Sequence, residues 1–246
     1  MSLRSIKNEL ALFIVCIFSI IICLELSINE VLIKIVAAVL IVFLMIKIKK
    51  QAVKDLYYKM KQLNNRIILL LILNSFWLYI VFAYIAVFLV ENKVTVPKSF
   101  LPLGKLLAMV IVAPITEEIV FRWAVVESKE KTNKIISIIV YSIMIFIWNA
   151  VHTKSFTVVD IFVVIVGLVL YGIYFTSGNI YYCIIFHGVY NVSAYMFNSP
   201  LIGKVISLFK NKYLGIIIFI LLVVDVFLYL KEVKMDDHVI HKKLKN

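Results

Sequence analysis

The sequence predicts an all-α fold, a polytopic membrane helix bundle of about eight transmembrane helices. The chain has 246 residues, of which 63% are hydrophobic and only 16% are charged, whereas a soluble domain carries about 25% charged residues. The apolar residues form separate runs along the whole length. None of these runs alternates apolar and polar residues as the strands of a membrane barrel do. Helices are therefore the expected way to satisfy the backbone in lipid.

Eight apolar runs come near the length of about 20 residues that a membrane-spanning helix needs. We expect the first run to be retained as a span, because no small-residue cleavage pattern follows it. We treat 1–246 as a single integral membrane domain. The runs cover roughly 10–28, 31–48, 67–90, 103–126, 135–151, 157–176, 180–197 and 213–230.

The net charge of +12 does not indicate a nucleic-acid-binding protein, because the basic residues lie in the short links between apolar runs. With the N-terminus inside, 17 Lys and Arg residues fall on the inner side and 8 on the outer side. The positive-inside rule then predicts a multi-pass protein of the cell membrane with both termini in the cytoplasm.

One link, 47–66, is longer than the others and mixes lysines with apolar residues in "KIKKQAVKDLYYKMKQLNNR". This composition fits a basic amphipathic cytoplasmic connector that lies on the inner leaflet of the lipid bilayer. A solvated linker is the alternative that the sequence leaves open.

Other polar or reactive residues inside the runs have simpler interpretations. Cys16, Cys23 and Cys183 have no paired spacing, so they predict neither a disulfide framework nor a zinc ribbon. Asp160 and Asp225 are single acids near span ends, with no basic residue close in sequence. We expect all five to serve packing or helix contacts.

The fourth run carries charges that need an explanation. Glu117, Glu118 and Arg122 lie within "APITEEIVFRW", and a charge at the centre of a span costs about 2.5–3.5 kcal/mol. Glu118 and Arg122 are separated by four residues, so they can pair on one helix face. Glu117 lies about 140° from Arg122 around an α-helix. An ion pair that only joins helices would explain Glu118 but not Glu117.

Two histidines add to this set. His152 ends the fifth run one turn after Trp148, and His187 and Asn191 are four residues apart in the seventh run. A single histidine in a membrane helix is often a hydrogen-bonding contact between helices. Together with a carboxylate, however, two histidines and an amide form an acid–base set.

The three patterns resemble the motifs of a known family. Residues 117–122 match EExxxR, 148–152 match (F/W)xxxH and 187–191 match HxxxN. In this order and on separate runs they resemble the CPBP family, the CAAX proteases and bacteriocin-processing enzymes also called Abi proteins, which includes the Ras-converting proteases. The resemblance covers roughly 103–197, which we take as the catalytic core.

This resemblance implies an intramembrane endopeptidase that needs no cofactor. Glu117 would be the base that takes a proton from water, and His152 would hold or polarise that water. The implied substrate is a peptide or a membrane protein, in peptide maturation, bacteriocin self-immunity or surface-protein regulation in a bacterium. The sequence departs from the common family pattern at Trp123, where glycine is usual, and at Trp148, where phenylalanine is commoner.

The resemblance also implies roles for the remaining polar residues of the motifs. His187 and Asn191 would stabilise the oxyanion of the tetrahedral intermediate. Glu118 and Arg122 would have a supporting role and order the site.

Three alternatives remain open at this point. A zinc peptidase could use Glu117, His152 and His187 as ligands, although the HExxH motif is absent. A non-catalytic scaffold or immunity protein could bind a peptide without cleaving it. A transporter with a proton relay would show two repeated halves, and no repeat is visible. The sequence does not indicate an oligomeric state.

Overall fold

A computed structural model describes residues 52–89, 100–123, 158–197 and 211–243, with isolated helical positions at 36, 39, 43, 139, 142, 143, 145 and 146. These residues are helical apart from short turns, with no strand among them, which confirms the all-α prediction. Seven α-helices and two π-helical turns are described. They are α1 (Ala52–Lys61), α2 (Asn65–Leu89), α3 (Leu103–Leu107), a π turn (Ala108–Val112), α4 (Ala113–Glu118), a second π turn (Ile119–Trp123), α5 (Val158–Ser177), α6 (Ile180–Phe197) and α7 (Lys212–Lys243).

Asparagine N-caps mark where three of the long helices begin. The side-chain oxygen of the residue before α2, α6 and α7 accepts the backbone N–H two residues later, at 2.9, 3.1 and 3.0 Å. The three caps are Asn64, Asn179 and Asn211. A cap of this kind satisfies one of the backbone donors that a helix start leaves without a partner.

The end of α5 is set by Gly178. This residue has a φ of 58°, and its N–H donates to the Tyr174 carbonyl at 2.7 Å. Glycine is the usual residue at such a left-handed helix end because it has no Cβ to clash. Only Gly178 and Asn179 separate α5 from α6.

The stretch from α3 to the second π turn is helical throughout, but it changes helix type three times. Pro114 is the second residue of α4 and has no N–H, so the backbone ladder before it is incomplete. The Thr116 hydroxyl donates to the Val112 carbonyl at 2.9 Å. π turns are rare and occur frequently at functional sites.

Two of the described helices are long and apolar enough to cross a membrane by length and composition. They are Asn65–Ile85, with a mean hydropathy of 2.3, and Tyr213–Met235, with 2.7. The segment Ile161–Ser177 is a shorter apolar helix. The predicted runs 10–28, 31–48 and 135–151 lie outside the described residues except for isolated positions, so the number of eight spans stays a prediction.

Contacts divide the chain into two compact units. Unit 1 consists of Met1–Lys61 and Ile111–Ile184, and unit 2 consists of Gln62–Val110 and Ile185–Asn246. The boundaries pass through the first π turn and through α6, so both elements contribute residues to each unit.

Unit 2 is built on the contact between α2 and α7. Ile80 and Ile218 form the buried centre of this contact. Gly215 allows a close approach, since a Cβ at that position would lie 2.5 Å from the Tyr84 ring. The Trp77 side chain of α2 packs against this buried centre. The other faces of α7 expose large apolar side chains, as expected for a helix surrounded by lipid.

In unit 1, the end of α1 contacts the turn between α5 and α6. The Lys59 ammonium donates to the Gly178 carbonyl, and the Asn179 amide donates to the Lys59 carbonyl at 3.0 Å. Farther along α6, the buried Cys183 thiol donates to the Leu170 carbonyl of α5 at 3.4 Å. α1 lies within the predicted connector 47–66.

Candidate active site

The charged cluster begins with an ion pair between α4 and the second π turn. Arg122 Nη1 lies 2.6 Å from Glu118 Oε1, and the two side chains are 3% and 0% exposed. The pair expected from the i, i+4 spacing is therefore confirmed. Because both groups are removed from solvent, each depends on the other for charge compensation.

The Arg122 side chain also reaches α5. Its Nη2 donates to the Gly167 carbonyl at 3.2 Å. A Cβ at Gly167 would clash with the Ile145 side chain, so the absence of a side chain at this position lets Ile145 pack there. The ion pair is thus joined to a neighbouring helix through a backbone carbonyl.

Glu117 has different surroundings from Glu118, although the two are adjacent. Glu118 is fully buried, whereas Glu117 is half-buried. Successive residues of an α-helix point about 100° apart, which explains why the two adjacent glutamates differ in burial. A carboxylate in this partly enclosed position retains access for a small molecule such as water.

Asn191 in unit 2 makes a specific bond to backbone. Its Nδ2 donates to the Met109 carbonyl at 2.8 Å. In a π turn a carbonyl accepts from the N–H five residues later. For Met109 that residue is Pro114, which has no N–H. The Asn191 amide therefore supplies a donor in place of the N–H that Pro114 lacks.

The part of α6 around His187 is held from two directions within unit 2. A Cβ at Gly188 would lie 3.0 Å from the Val110 carbonyl, so glycine allows α6 to approach the π turn closely. On the α2 side, the Ser75 hydroxyl donates to the Phe186 carbonyl at 2.8 Å in a buried contact. His187 itself is half-buried. Its backbone is thereby fixed on both sides while part of its side chain stays accessible.

An aromatic contact adds to this packing. The rings of Tyr79 and Tyr190 meet edge to face, with their centroids 5.3 Å apart. Edge-to-face geometry is one of the arrangements that aromatic pairs prefer. The helical turn that carries His187 and Asn191 is therefore set against α2 by both a hydrogen bond and a ring contact.

The predicted site residues do not all fall within one described unit. Glu117, Glu118 and Arg122 lie in unit 1, and His187 and Asn191 lie in unit 2. His152 and Trp148 lie outside the described residues, and Trp123 is described by its backbone alone. Each half of the predicted site is therefore characterised separately, and the catalytic roles stay predictions.

A metal centre has no described candidate. Within the described parts of the chain, no group of three or more His, Cys, Asp or Glu side chains is placed to hold a metal ion. The zinc ligand set considered from sequence includes His152, which is not among those residues.

Sequence reasoning missed the backbone partners of the polar side chains. Gly167 accepts from Arg122, and Met109 accepts from Asn191. A carbonyl acceptor has no residue-type signature, because every residue carries one. The absence of an N–H at Pro114 was the available signal for the second contact. Ser75 had no comparable signal, since a serine in an apolar helix often bonds within its own helix.

One known family matches the segment that contains these residues. Residues 99–193 match the family model of Rce1-like proteins, described as type II CAAX prenyl endopeptidases. The matched segment includes all three motifs identified from sequence. Searches among curated proteins and among solved structures found no match.

Proposed function

We propose that the chain is a member of the CAAX protease family, which the match over 99–193 supports, and that its reaction is peptide-bond hydrolysis by a water molecule activated by Glu117. Family membership supports the coarse assignment, a membrane-embedded protease. The assignment of glutamate as the base rests on the chemistry of the individual residues.

The observation that carries this proposal is the different environment of two adjacent glutamates. Glu118 forms a 2.6 Å ion pair with Arg122, and its side chain is fully buried. Glu117 is half-buried and keeps accessible surface. One carboxylate therefore supports the local structure, and its neighbour is the one that can reach water. A catalytic base must lie within hydrogen-bond reach of the proton that it removes.

In the proposed reaction Glu117 takes a proton from water as the oxygen attacks the scissile carbonyl carbon. The carbonyl oxygen becomes an oxyanion, and the proton is later transferred to the leaving amine. His152 holds the attacking water, and His187 donates a hydrogen bond to the oxyanion. Hydrogen-bond donors that are fixed before the reaction stabilise this charge strongly where bulk water is excluded.

Asn191 has a double role in this proposal. A side-chain amide carries two N–H groups, and the bond to the Met109 carbonyl uses one of them. The second N–H is the one that we assign to the oxyanion. The first holds the amide in place, so the donor does not need to be ordered when the substrate arrives.

We propose a peptide or a membrane-anchored protein as substrate, in bacterial peptide maturation, self-immunity against a bacteriocin or surface-protein regulation. The site residues lie in apolar stretches of the sequence, which supports cleavage at or within the membrane. A multi-pass topology in the cell membrane, with both termini in the cytoplasm, is part of the same proposal.

The deciding experiment replaces Glu117 by glutamine and compares the peptides that accumulate in membranes. Glu117→Gln keeps the shape of the side chain but removes the proton acceptor, so cleavage products of the wild type should disappear. The matched control is Glu232→Gln in α7, an equally half-buried glutamate outside the family-matched segment. It should leave the peptide pattern unchanged.

Two outcomes would contradict the proposed mechanism. Wild-type cleavage by Glu117→Gln would exclude this glutamate as the base. Reversible loss of cleavage on treatment with a chelator, with recovery on adding Zn²⁺, would replace water activation by glutamate alone with metal-assisted hydrolysis.

A further inference from the structure

The helix α1 is held by unit 1 through its last turn. Lys59 donates its ammonium group to the Gly178 carbonyl and accepts from the Asn179 amide through its own carbonyl. The Lys59 ammonium also lies 5.8 Å from the centroid of the Tyr174 ring. These contacts attach α1 to the turn where the apolar helix α5 ends. α1 is therefore fixed at one position rather than tethered loosely.

The opposite side of α1 carries exposed side chains. Tyr57 and Tyr58 are 56% and 58% exposed, and Lys61 is also exposed. The Lys61 ammonium lies 4.6 Å from the centroid of the Tyr57 ring. Lys54 stands seven residues before Lys61 in α1, and positions at this spacing lie on one side of a helix. We name Tyr57, Tyr58 and Lys61 the outer face of α1.

The sequence around α1 is strongly basic. The connector 47–66 carries seven Lys and Arg residues and a single acidic residue, Asp55. α1 ends at Lys61, and the membrane-spanning segment of α2 begins at Asn65. The chain therefore places this positive helix directly next to the end of a membrane span.

We propose that the outer face of α1 binds the phosphate groups of anionic phospholipids at the membrane surface. Tyrosine rings are enriched at the level of lipid headgroups, where the ring meets the acyl boundary and the hydroxyl meets water. Lysines beside a membrane span attract anionic lipids, each contributing about fivefold in affinity. The Lys59 side of α1 contacts the Gly178 turn of the protein. The outer face is the side that would contact lipid.

This proposal is independent of the proteolytic mechanism, and its test measures no cleavage. The full-length protein is placed in nanodiscs of phosphatidylcholine alone or of phosphatidylcholine with phosphatidylglycerol. Hydrogen–deuterium exchange is then measured on the peptide that covers 52–61. We expect slower exchange with phosphatidylglycerol, and we expect high salt to remove the difference because salt screens charge attraction.

The double variant Lys54→Gln/Lys61→Gln should lose most of this protection. The matched control is Lys231→Gln/Lys234→Gln, which removes two exposed lysines from α7 and should leave exchange at 52–61 unchanged. Unaltered exchange in α2 and α7 reports that each variant is folded.

Either of two results would overturn the proposal. Equal exchange of wild-type 52–61 in both nanodiscs would show that this segment does not respond to anionic lipid. Full protection of the folded Lys54→Gln/Lys61→Gln variant would show that the outer face of α1 is not the binding surface.

Discussion

Glu117 and Glu118 show how much the role of a residue depends on its immediate partners. The two have the same side chain and consecutive positions, yet one is enclosed with Arg122 and the other keeps accessible surface. The spacing in the sequence was sufficient to predict which glutamate pairs with the arginine. It was not sufficient to predict that Arg122 also donates to the Gly167 carbonyl, since that contact depends on how α5 packs.

The first residue-scale prediction concerns the ion pair. Glu118→Gln should lower the free energy of unfolding by about 3–5 kcal/mol, because it leaves the Arg122 guanidinium buried without its counter-charge. Thermal unfolding of the purified protein in detergent measures this loss. Glu117→Gln is the matched comparison and should unfold close to the wild-type temperature. Equal destabilisation by the two substitutions would contradict the division of roles between the glutamates.

A second prediction concerns the Asn191 amide. Asn191→Ala should destabilise the protein by about 0.5–1.5 kcal/mol, the typical net contribution of one hydrogen bond, because the half-buried Met109 carbonyl has no N–H at Pro114 to replace the amide. Asn191→Asp should destabilise the protein similarly, because an ionised carboxylate carries no hydrogen-bond donor for the Met109 carbonyl.

Ser193→Ala is the control for this prediction. The Ser193 hydroxyl donates to the Val189 carbonyl of its own helix at 2.9 Å, so its loss removes a bond within α6 only. Unfolding and cleavage by Ser193→Ala should resemble the wild type. If Asn191→Ala is as stable as Ser193→Ala, the hydrogen bond to Met109 contributes little to stability.

At the scale of elements, long helices were predicted well and changes of helix type were not. The predicted runs 157–176 and 180–197 agree closely with α5 (Val158–Ser177) and α6 (Ile180–Phe197), because Gly178 and Asn179 interrupt the apolar pattern between them. The run 103–126 was predicted as a single span. Its two π turns leave no trace in an apolar sequence, since hydrophobic periodicity disappears when a helix is apolar on all sides.

The predicted end of the last span at 230 also differs from the end of α7 at Lys243. The apolar pattern stops where the helix would leave the lipid, but the backbone ladder continues through polar residues that favour helix in water. Hydrophobicity therefore located the span and not the whole helix.

The prediction for α5 compares two glycines of one helix. Gly167→Ala should lower stability by about 1–3 kcal/mol, the usual range for overpacking, because the new methyl group would clash with Ile145 beside the carbonyl that accepts from Arg122. Gly172 has open space around its Cα, so Gly172→Ala should be neutral or stabilising by up to about 1 kcal/mol. Chemical or thermal unfolding of the two variants gives the comparison. Equal changes in the free energy of unfolding for Gly167→Ala and Gly172→Ala would contradict the packing argument.

At the scale of the whole molecule, orientation is predicted from charge alone. The imbalance of 17 to 8 basic residues predicts that reporter fusions at Lys61, Lys98 and the C-terminus lie inside, outside and inside the cell. Paired reporters that are active on opposite sides of the membrane test each position. A cytoplasmic reading at Lys98 would contradict eight spans with both ends inside.

The packing of Trp77 against Ile80 and Ile218 has an optical consequence. The chain has three tryptophans, and the indole of Trp77 in α2 packs where Ile80 of α2 meets Ile218 of α7. Its emission is therefore a local report of whether α7 is in contact with α2. The difference spectrum between the wild type and Trp77→Phe isolates this signal. Its wavelength and intensity should change when α7 separates during unfolding, at a temperature that need not be the one at which unit 1 loses its structure.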